Sequence, residues 1–284
     1  MSDTIEDLYP LTPLQKGLLF HALGEPAGGL YVNQLVGELR GRLDVEAFAG
    51  AWREALRLNP VLRTAFEWEG VDEPLQVVLR EVDLPLAVED WRDVPAAELD
   101  ARLERLLADE RRRGFALDQA PLLRLWLLRT GEDAHHFVFS HHHLLLDGWS
   151  LPNLLRQIFA SYDGLRRGSP LLLEPPRLFR DYVAWLGARG LAEAEAHFRR
   201  ALAGAELPTP LGILSPRTVA GDVGHGEAQT ALTVEATRAL GEAAKRHRVT
   251  PNTLVQAAWA LALGAWAGRR DVTYGTTLAG RPPE

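Results

Sequence analysis

Cysteine is absent from the chain, although the sequence runs to 284 residues. Without a thiol, the protein cannot form a disulfide, use a thiolate nucleophile or bind zinc through a cysteine cluster. Proteins of reducing compartments commonly lack disulfides, so we expect a cytoplasmic location.

Long apolar runs and stripes of basic residues are also missing. A membrane-spanning helix needs about 20 consecutive apolar residues, and no segment approaches that length. The first residues, Met1–Thr4, lack the apolar core of a secretion signal. The net charge is −7 and the pI is about 5.8, whereas nucleic-acid-binding domains are usually basic. We therefore expect neither a membrane nor a nucleic acid as a partner.

The most informative feature that is present is a histidine run, His141-His142-His143, followed closely by Asp147 and Gly148. The residues before the run are apolar and β-prone, which predicts that the histidines continue a strand. Side chains alternate between the faces of a strand, so His142 and His143 should point in opposite directions. The Asp-Gly pair predicts a turn, and the apolar stretch after it predicts a helix.

A free imidazole titrates at about pH 6.5, so one of these histidines is a candidate for acid–base chemistry. Two other interpretations stay open. A histidine beside an apolar strand can be a hydrogen-bonded structural residue. Imidazoles and a carboxylate can also bind zinc. However, adjacent strand residues diverge and a turn separates His143 from Asp147, so we expect no metal site.

Helical and strand patterns alternate along the chain, as they do in α/β proteins. Helices are predicted at residues 14–23, 45–58, 95–113, 149–159, 179–186, 191–202, 235–247 and 251–267. Thr12 and Gln15 have the spacing of a capping box at the start of the first helix, and Asp44 is expected to cap the second. Phe48, Trp52 and Leu56 should lie on one apolar face of that second helix. Strands are predicted at residues 31–40, 63–69, 75–80, 122–129, 135–143, 229–234 and 272–278. A proline-rich segment at 168–176 separates helical patterns, which indicates a domain boundary. We therefore predict a first domain at 1–170 and a second at 171–284.

Several segments resemble the sequence motifs of one protein family. The segment His142–Gly148 resembles the HHxxxDG signature of nonribosomal peptide synthetase condensation domains. Other segments resemble further motifs of that family in the same order: Tyr9–His21, Asn59–Phe66, Arg180–Trp185 and Asp271–Pro282. The resemblance spans essentially the whole chain, and the sequence is identified as a member of this family.

The resemblance implies an α/β fold of two chloramphenicol-acetyltransferase-like lobes around a tunnel, here with a complete N-terminal lobe and a partial C-terminal lobe. It also implies an acyltransferase that joins a donor acyl or peptidyl thioester to the amine of an acceptor aminoacyl thioester. Phosphopantetheine would carry both thioesters on peptidyl carrier protein domains. Those domains and a neighbouring adenylation domain would be the partners, and the domain itself would bind no cofactor.

The resemblance also assigns roles to residues of the motifs. His143, the second histidine of the signature, would face the tunnel and either deprotonate or position the acceptor amine. His142 would be structural, and Gly148 would let the donor thioester approach its backbone N–H. Asp147 would turn away from the substrates and form a buried ion pair with Arg63. Breaking such a pair is strongly destabilising, so we expect it to matter for folding.

The resemblance further places Trp149 and Ser150 in contact with the substrate. The segment Leu145–Pro152, together with the first and fourth motifs, is most similar to domains that accept a donor ending in a D-residue. The chain stops at Glu284, before the fifth motif, so we expect a C-terminally truncated domain. Two alternatives stay open: a noncatalytic module of this fold that recruits enzymes to a carrier protein, and a freestanding acyltransferase with a soluble acceptor.

Overall fold

The structure is a computed structural model that describes residues 4–24, 29–169, 176–205, 209 and 229–278. The chain divides into two compact units, Met1–Arg189 and Gly190–Glu284. The boundary predicted at residues 170 and 171 lies outside the described residues and stays a prediction.

The described strands are β1 (Ile5–Pro10), β2 (Val32–Arg40), β3 (Thr64–Glu67), β4 (Leu75–Leu79), β5 (Leu86–Asp90), β6 (Leu123–Gly131) and β7 (Ala134–His142). The described helices are α1 (Pro13–Gly24), α2 (Val45–Leu58), α3 (Ala96–Arg113), α4 (Ser150–Arg166), α5 (Phe179–Gly187), α6 (Leu191–Ala201), α7 (Val234–His247) and α8 (Pro251–Ala267). A short 3-10 helix covers Pro60–Arg63.

One sheet of the first unit has the strand order β2-β7-β6-β5. β7 runs antiparallel to both of its neighbours, so that His142 lies opposite Val32 and His141 lies opposite Leu123. β5 pairs with β6 in parallel. Every residue of β7 from Phe137 onward is buried. The histidine run therefore lies at the end of a central strand and not at an edge of the sheet.

α2 packs against the middle of β7. Its buried residues Phe48, Trp52 and Leu56 recur every fourth position, which places them on one face of the helix. The Trp52 ring centroid lies 5.0 Å from that of Phe139 and 5.9 Å from that of Phe137. These contacts form the centre of the hydrophobic core that supports the histidine-bearing strand.

Two helices of this unit begin as their capping residues predict. Asp44 accepts a hydrogen bond from the backbone N–H of Ala47 at 2.9 Å, which caps α2. At the start of α1, Thr12 Oγ1 accepts the Gln15 N–H at 3.2 Å and Gln15 Oε1 accepts the Thr12 N–H at 3.0 Å. This reciprocal pair is a capping box, and both predicted helix starts are confirmed.

A second sheet of the same unit has the order β1-β4-β3. Sequence patterns predicted β3 and β4 but missed β1, and they also missed β5 in the first sheet. Both missed strands are short edge strands that carry two acidic residues each. Their pairing comes from β4 and β6, which are distant in the sequence, so the segments themselves give little strand signal.

The second unit contains α6, α7 and α8 close to their predicted bounds, but its predicted strands are wrong. Residues 229–233 and 271–278 form no strand. A strand needs a hydrogen-bonded neighbour, and none is present within residues 190–205 and 229–278. Thr233 instead caps α7 by accepting the backbone N–H of Ala236 at 3.2 Å.

Candidate active site

The histidine run leads from β7 into a turn. β7 ends at His142 and α4 begins at Ser150, one residue earlier and one residue later than the sequence patterns predicted. The hydrogen bonding of the sheet continues one residue further, because the His143 N–H donates to the Tyr31 carbonyl at 2.8 Å. His143 is therefore fixed by the sheet although it stands beyond the end of the strand.

The His143 imidazole is half-buried, and its Nδ1 lies 2.8 Å from the carbonyl oxygen of Leu146. A carbonyl oxygen can only accept a hydrogen bond, so Nδ1 carries the proton. In the neutral ring, Nε2 then has the lone pair and can accept a proton or a hydrogen bond. This is the tautomer that a base acting through Nε2 needs.

The other two histidines of the run are buried. Desolvation lowers the pKa of His141 to about 4, and desolvation together with the neighbouring histidines lowers the pKa of His142 to about 4. The Leu144 N–H donates to His142 Nδ1 at 3.3 Å. His142 is therefore neutral near pH 7 and engaged with the backbone, which favours a structural role.

Asp147 is half-buried and binds the first residue of α4. Its Oδ1 accepts the backbone N–H of Ser150 at 2.7 Å and the Ser150 hydroxyl at 2.6 Å. A carboxylate at this position satisfies a donor at the helix start and is favourable beside the helix dipole. The turn between His143 and α4 is therefore held at its far end by Asp147.

Arg63 is buried and lies beside the second sheet. Its guanidinium donates to one carboxylate and three backbone carbonyls, those of Glu6, Leu56, Leu79 and Arg80. The ion pair joins Arg63 Nη1 to Glu6 Oε2 at 2.7 Å. The expected pair of Arg63 with Asp147 is therefore wrong. The 3-10 helix places Arg63 at the ends of β1 and β4. Asp147 instead follows β7, which belongs to the other sheet.

Gly148 and Trp149 form the accessible tip of the turn. Gly148 is exposed and has open space where a side chain would stand. Trp149 is 64% exposed, which is unusual for a large apolar side chain. Both residues can be reached by a ligand that approaches the turn.

Gln15 also holds this turn, and sequence patterns did not assign it to the site. Its Nε2 donates to the Leu144 carbonyl at 3.1 Å and to Gln76 Oε1 at 3.0 Å. Both glutamine side chains are buried. The capping box signals the start of α1, but no local pattern signals a hydrogen bond to a residue 129 positions away.

Tyr31 contacts His21 and lies beside the rings of His142 and His143. Tyr31 Oη and His21 Nδ1 are 3.0 Å apart. The Tyr31 ring centroid lies 6.2 Å from that of His142 and 6.5 Å from that of His143. His21 belongs to the first motif, whereas no sequence pattern singles out Tyr31.

Two kinds of feature are absent from the described part of the chain. No group of three or more His, Asp or Glu side chains there is arranged to hold a metal ion. No helix there combines the length and the apolar character that crossing a membrane requires.

Known proteins resemble this chain over almost its whole length. The condensation domain family matches residues 5–284 of the chain. The chain belongs to the condensation domain family. This condensation domain is 42% identical over 281 residues to one polypeptide of the linear gramicidin synthase of Brevibacillus parabrevis. It is 39% identical over 282 residues to another polypeptide of the same synthase. Each match covers 99% of this chain, but only 5% and 4% of the two relatives.

A solved structure shows the fold of the condensation domain independently. The first condensation domain of the calcium-dependent antibiotic synthetase, in complex with a substrate analogue, matches with a TM-score of 0.72. The match covers 94% of this chain and 63% of that chain, at 20% sequence identity. The predicted fold class, α/β of the chloramphenicol-acetyltransferase-like kind, is confirmed.

Proposed function

We propose that this condensation domain forms an amide bond between a carrier-bound donor acyl or peptidyl thioester and the amine of a carrier-bound acceptor aminoacyl thioester. The observation that carries the proposal is the hydrogen bond of His143 Nδ1 to the Leu146 carbonyl, at 2.8 Å. That bond leaves Nε2 as the acceptor atom on a half-buried imidazole beside an accessible turn. An acceptor amine is the kind of group that such an atom can orient or deprotonate.

The proposed reaction needs no covalent enzyme intermediate, since a thioester is already activated. The amine nitrogen hydrogen-bonds to His143 Nε2 and attacks the carbonyl carbon of the donor. The new C–N bond forms as the C–S bond breaks, and the sulfur leaves as the thiolate of the donor phosphopantetheine. The proton that the amine loses reaches that thiolate, directly or through His143, and gives the free thiol. Holding the two reactants in place supplies much of the rate.

The turn after His143 would bind the donor. Gly148 is proposed to bring its backbone N–H to the donor carbonyl oxygen, where negative charge develops. The open space beside Gly148 leaves room for that approach. Trp149 is proposed to contact the substrate with its exposed ring. Ser150 is proposed as a further contact through its oxygen, since its hydroxyl proton is directed to Asp147.

The remaining predicted residues would support the site. Asp147 is proposed to hold the turn through its bonds to Ser150. His142 is proposed to anchor the end of β7 as a buried neutral ring. Arg63 is proposed to act at a distance, by fixing the 3-10 helix against β1 and β4 through Glu6 and three carbonyl groups.

The proposed partners are the donor and acceptor carrier domains and a neighbouring adenylation domain. The two relatives are polypeptides of a linear gramicidin synthase. We propose that this chain likewise serves in the biosynthesis of a peptide secondary metabolite, as part of a cytoplasmic antibiotic synthetase. We also propose that its donor ends in a D-residue, which the segment Leu145–Pro152 supports. Turnover of two donor epimers on one carrier tests this, and equal rates would contradict it.

The test of the function mixes the protein with a donor and an acceptor, each loaded on a phosphopantetheinylated carrier domain. Intact-mass spectrometry follows transfer of the donor onto the acceptor carrier. His143→Ala should lower the rate by about 10²- to 10⁴-fold, as loss of a general base typically does. Its circular dichroism should match that of the wild type. The control is His197→Ala, which removes a histidine from α6 in the second unit.

The outcomes of this test separate the alternatives. Product on the acceptor carrier that depends on His143 supports the proposal. Product only with small soluble amines would indicate a freestanding acyltransferase. No product with either acceptor, in a protein that still binds carrier domains, would indicate a noncatalytic recruiting module. Gross unfolding of His143→Ala would move that residue to a structural role.

A further inference from the structure

Tyr31 has a backbone conformation that a bulky residue rarely adopts. Its φ is 64°, in the left-handed region where the Cβ atom crowds the backbone. The same turn is closed by the Val32 N–H, which donates to the Gly29 carbonyl at 3.1 Å. Unfavourable backbone conformations persist where the surroundings fix them, and they are frequent at functional sites. The contacts of Tyr31 therefore show which neighbours hold this backbone conformation and which residue it positions.

The backbone of Tyr31 meets the backbone of His143. The Tyr31 carbonyl accepts the His143 N–H at 2.8 Å, and Val32, the next residue, already lies opposite His142 in the sheet. Since β7 has ended at His142, this hydrogen bond is the contact through which the neighbouring chain segment still holds His143. The conformation of Tyr31 thus bears directly on where the His143 backbone lies.

The side chain of Tyr31 lies among three imidazoles. Its ring lies within 10° of the plane of the His21 ring, with the centroids 6.5 Å apart, and it is tilted by 78° and 44° to the rings of His142 and His143. Its hydroxyl shares a hydrogen bond with His21 Nδ1 at 3.0 Å. His21 is exposed on α1, so this bond contributes little to a buried core. The bond nevertheless connects His21 of the first motif to Tyr31, which in turn contacts the histidines of the signature.

We propose that Tyr31 is a positioning residue for His143 and that His21 holds Tyr31 in place. Two contacts act together: the Tyr31 carbonyl fixes the His143 backbone, and the Tyr31 ring limits rotation of the His143 imidazole. The Nδ1–H of His143 then stays on the Leu146 carbonyl, and Nε2 stays the acceptor. The catalytic consequence of this inference rests on the proposed function, whereas its structural consequence can be measured without any reaction.

The first experiment reads the tautomer of His143 directly. Ring ¹⁵N shifts are measured by NMR in the labelled full chain, and the His143 signals are assigned with His143→Gln. In the wild type, Nδ1 should be protonated and Nε2 should not. Tyr31→Ala should raise the population of the Nε2-protonated tautomer, because the ring is free to leave the Leu146 carbonyl. An unchanged tautomer in folded Tyr31→Ala overturns the proposal.

A double-mutant cycle tests the link to His21 and keeps the proposal testable if Tyr31→Ala does not fold. Tyr31→Phe keeps the ring and removes the hydroxyl, whereas His21→Ala removes the partner of that hydroxyl. Each should shift the His143 tautomer in the same direction and by a similar amount. The double variant should shift it no further than either single variant, since both remove one interaction. Additive shifts overturn the role of His21.

The matching kinetic experiment uses the carrier-bound substrates of the proposed reaction. Tyr31→Ala should lower kcat by about 10²-fold, the cost of a small misplacement of a reacting group. KM should change by less than about twofold, as for a residue that does not bind substrate. The control is Tyr162→Phe, which removes a hydroxyl that accepts the Asp44 N–H at 3.1 Å. If the wild type forms no amide, the proposed function is refuted. The tautomer measurement then still tests whether Tyr31 positions His143.

Discussion

The three adjacent histidines differ in chemistry because they differ in burial and in hydrogen bonding. His141 and His142 are almost fully buried, and desolvation lowers the pKa of each to about 4. His143 is half-buried and bonded through Nδ1 to a carbonyl. Two rings are thus kept neutral near pH 7, and the third presents Nε2 as an acceptor.

The buried histidines predict a dependence of stability on pH. Each has a pKa of about 4 in the folded protein, against about 6.5 in the unfolded chain. The unfolded state therefore binds more protons below about pH 6.5, and the free energy of unfolding falls as the pH is lowered towards 4. When the pH is lowered from about 7.5 to 5.5, each of the two histidines should lower the free energy of unfolding by about 1 kcal/mol. Urea unfolding at both values measures this difference.

The control for that prediction is a folded variant without the two buried imidazoles. His141→Gln with His142→Asn keeps polar side chains but removes the titrating groups. Its loss of stability between the two pH values should be smaller than that of the wild type by about 2 kcal/mol. An equal loss in both proteins would show that other groups produce the pH dependence.

At the level of elements, a buried glutamine joins α1 to the turn after β7. Gln15 accepts from Thr12 within the capping box and donates to the Leu144 carbonyl and to Gln76. All of these polar side chains are buried, and a buried polar group that loses its partner is costly. The network therefore fixes the position of α1 relative to the segment that carries His143.

Gln15→Met tests the network. Methionine fills a similar volume but cannot donate to the Leu144 carbonyl or to Gln76. The free energy of unfolding should fall by about 1–3 kcal/mol because these buried groups lose their partner. Urea unfolding measures the change. Gln157→Met is the matched control, since Gln157 accepts one hydrogen bond from Asn59 in a partly buried position. A similar small effect of both variants would contradict a special role for Gln15.

At the level of the whole molecule, every residue of the proposed site lies in the first unit. That unit, Met1–Arg189, includes α5, whose Arg180 Nη1 donates to Oδ2 of Asp7 in β1 at 3.0 Å. Val183 of α5 is also buried, at 7% exposure. These contacts attach α5 to the first unit, and the boundary predicted at residues 170 and 171 stays a prediction.

Two fragments test where the first domain ends. Residues 1–189 should unfold in one cooperative urea transition. Residues 1–170 lack α5 and should be less stable by about 1–3 kcal/mol, the value of burying one apolar side chain such as Val183. Circular dichroism during urea titration measures both. Equal stability of the two fragments would support the boundary predicted from the sequence.

The sequence by itself determined the features whose causes are local. Helix caps at Thr12 and Asp44, the apolar face of α2 and the turn at Asp147-Gly148 depend on residues a few positions apart, and each was predicted. The order of the motifs was enough to identify the family, which the family match over residues 5–284 then confirmed. The local pattern made the histidine run a candidate, and the resemblance to the family signature then singled out His143.

Only the tertiary structure decided which distant groups meet. The partner of Arg63 is Glu6 and not Asp147, Gln15 reaches Leu144, and the Tyr31 carbonyl holds His143. The edge strands β1 and β5 exist because β4 and β6 offer hydrogen bonds, and two apolar segments of the second unit have no described strand to pair with. Such contacts depend on the path of the whole chain, which no short pattern encodes.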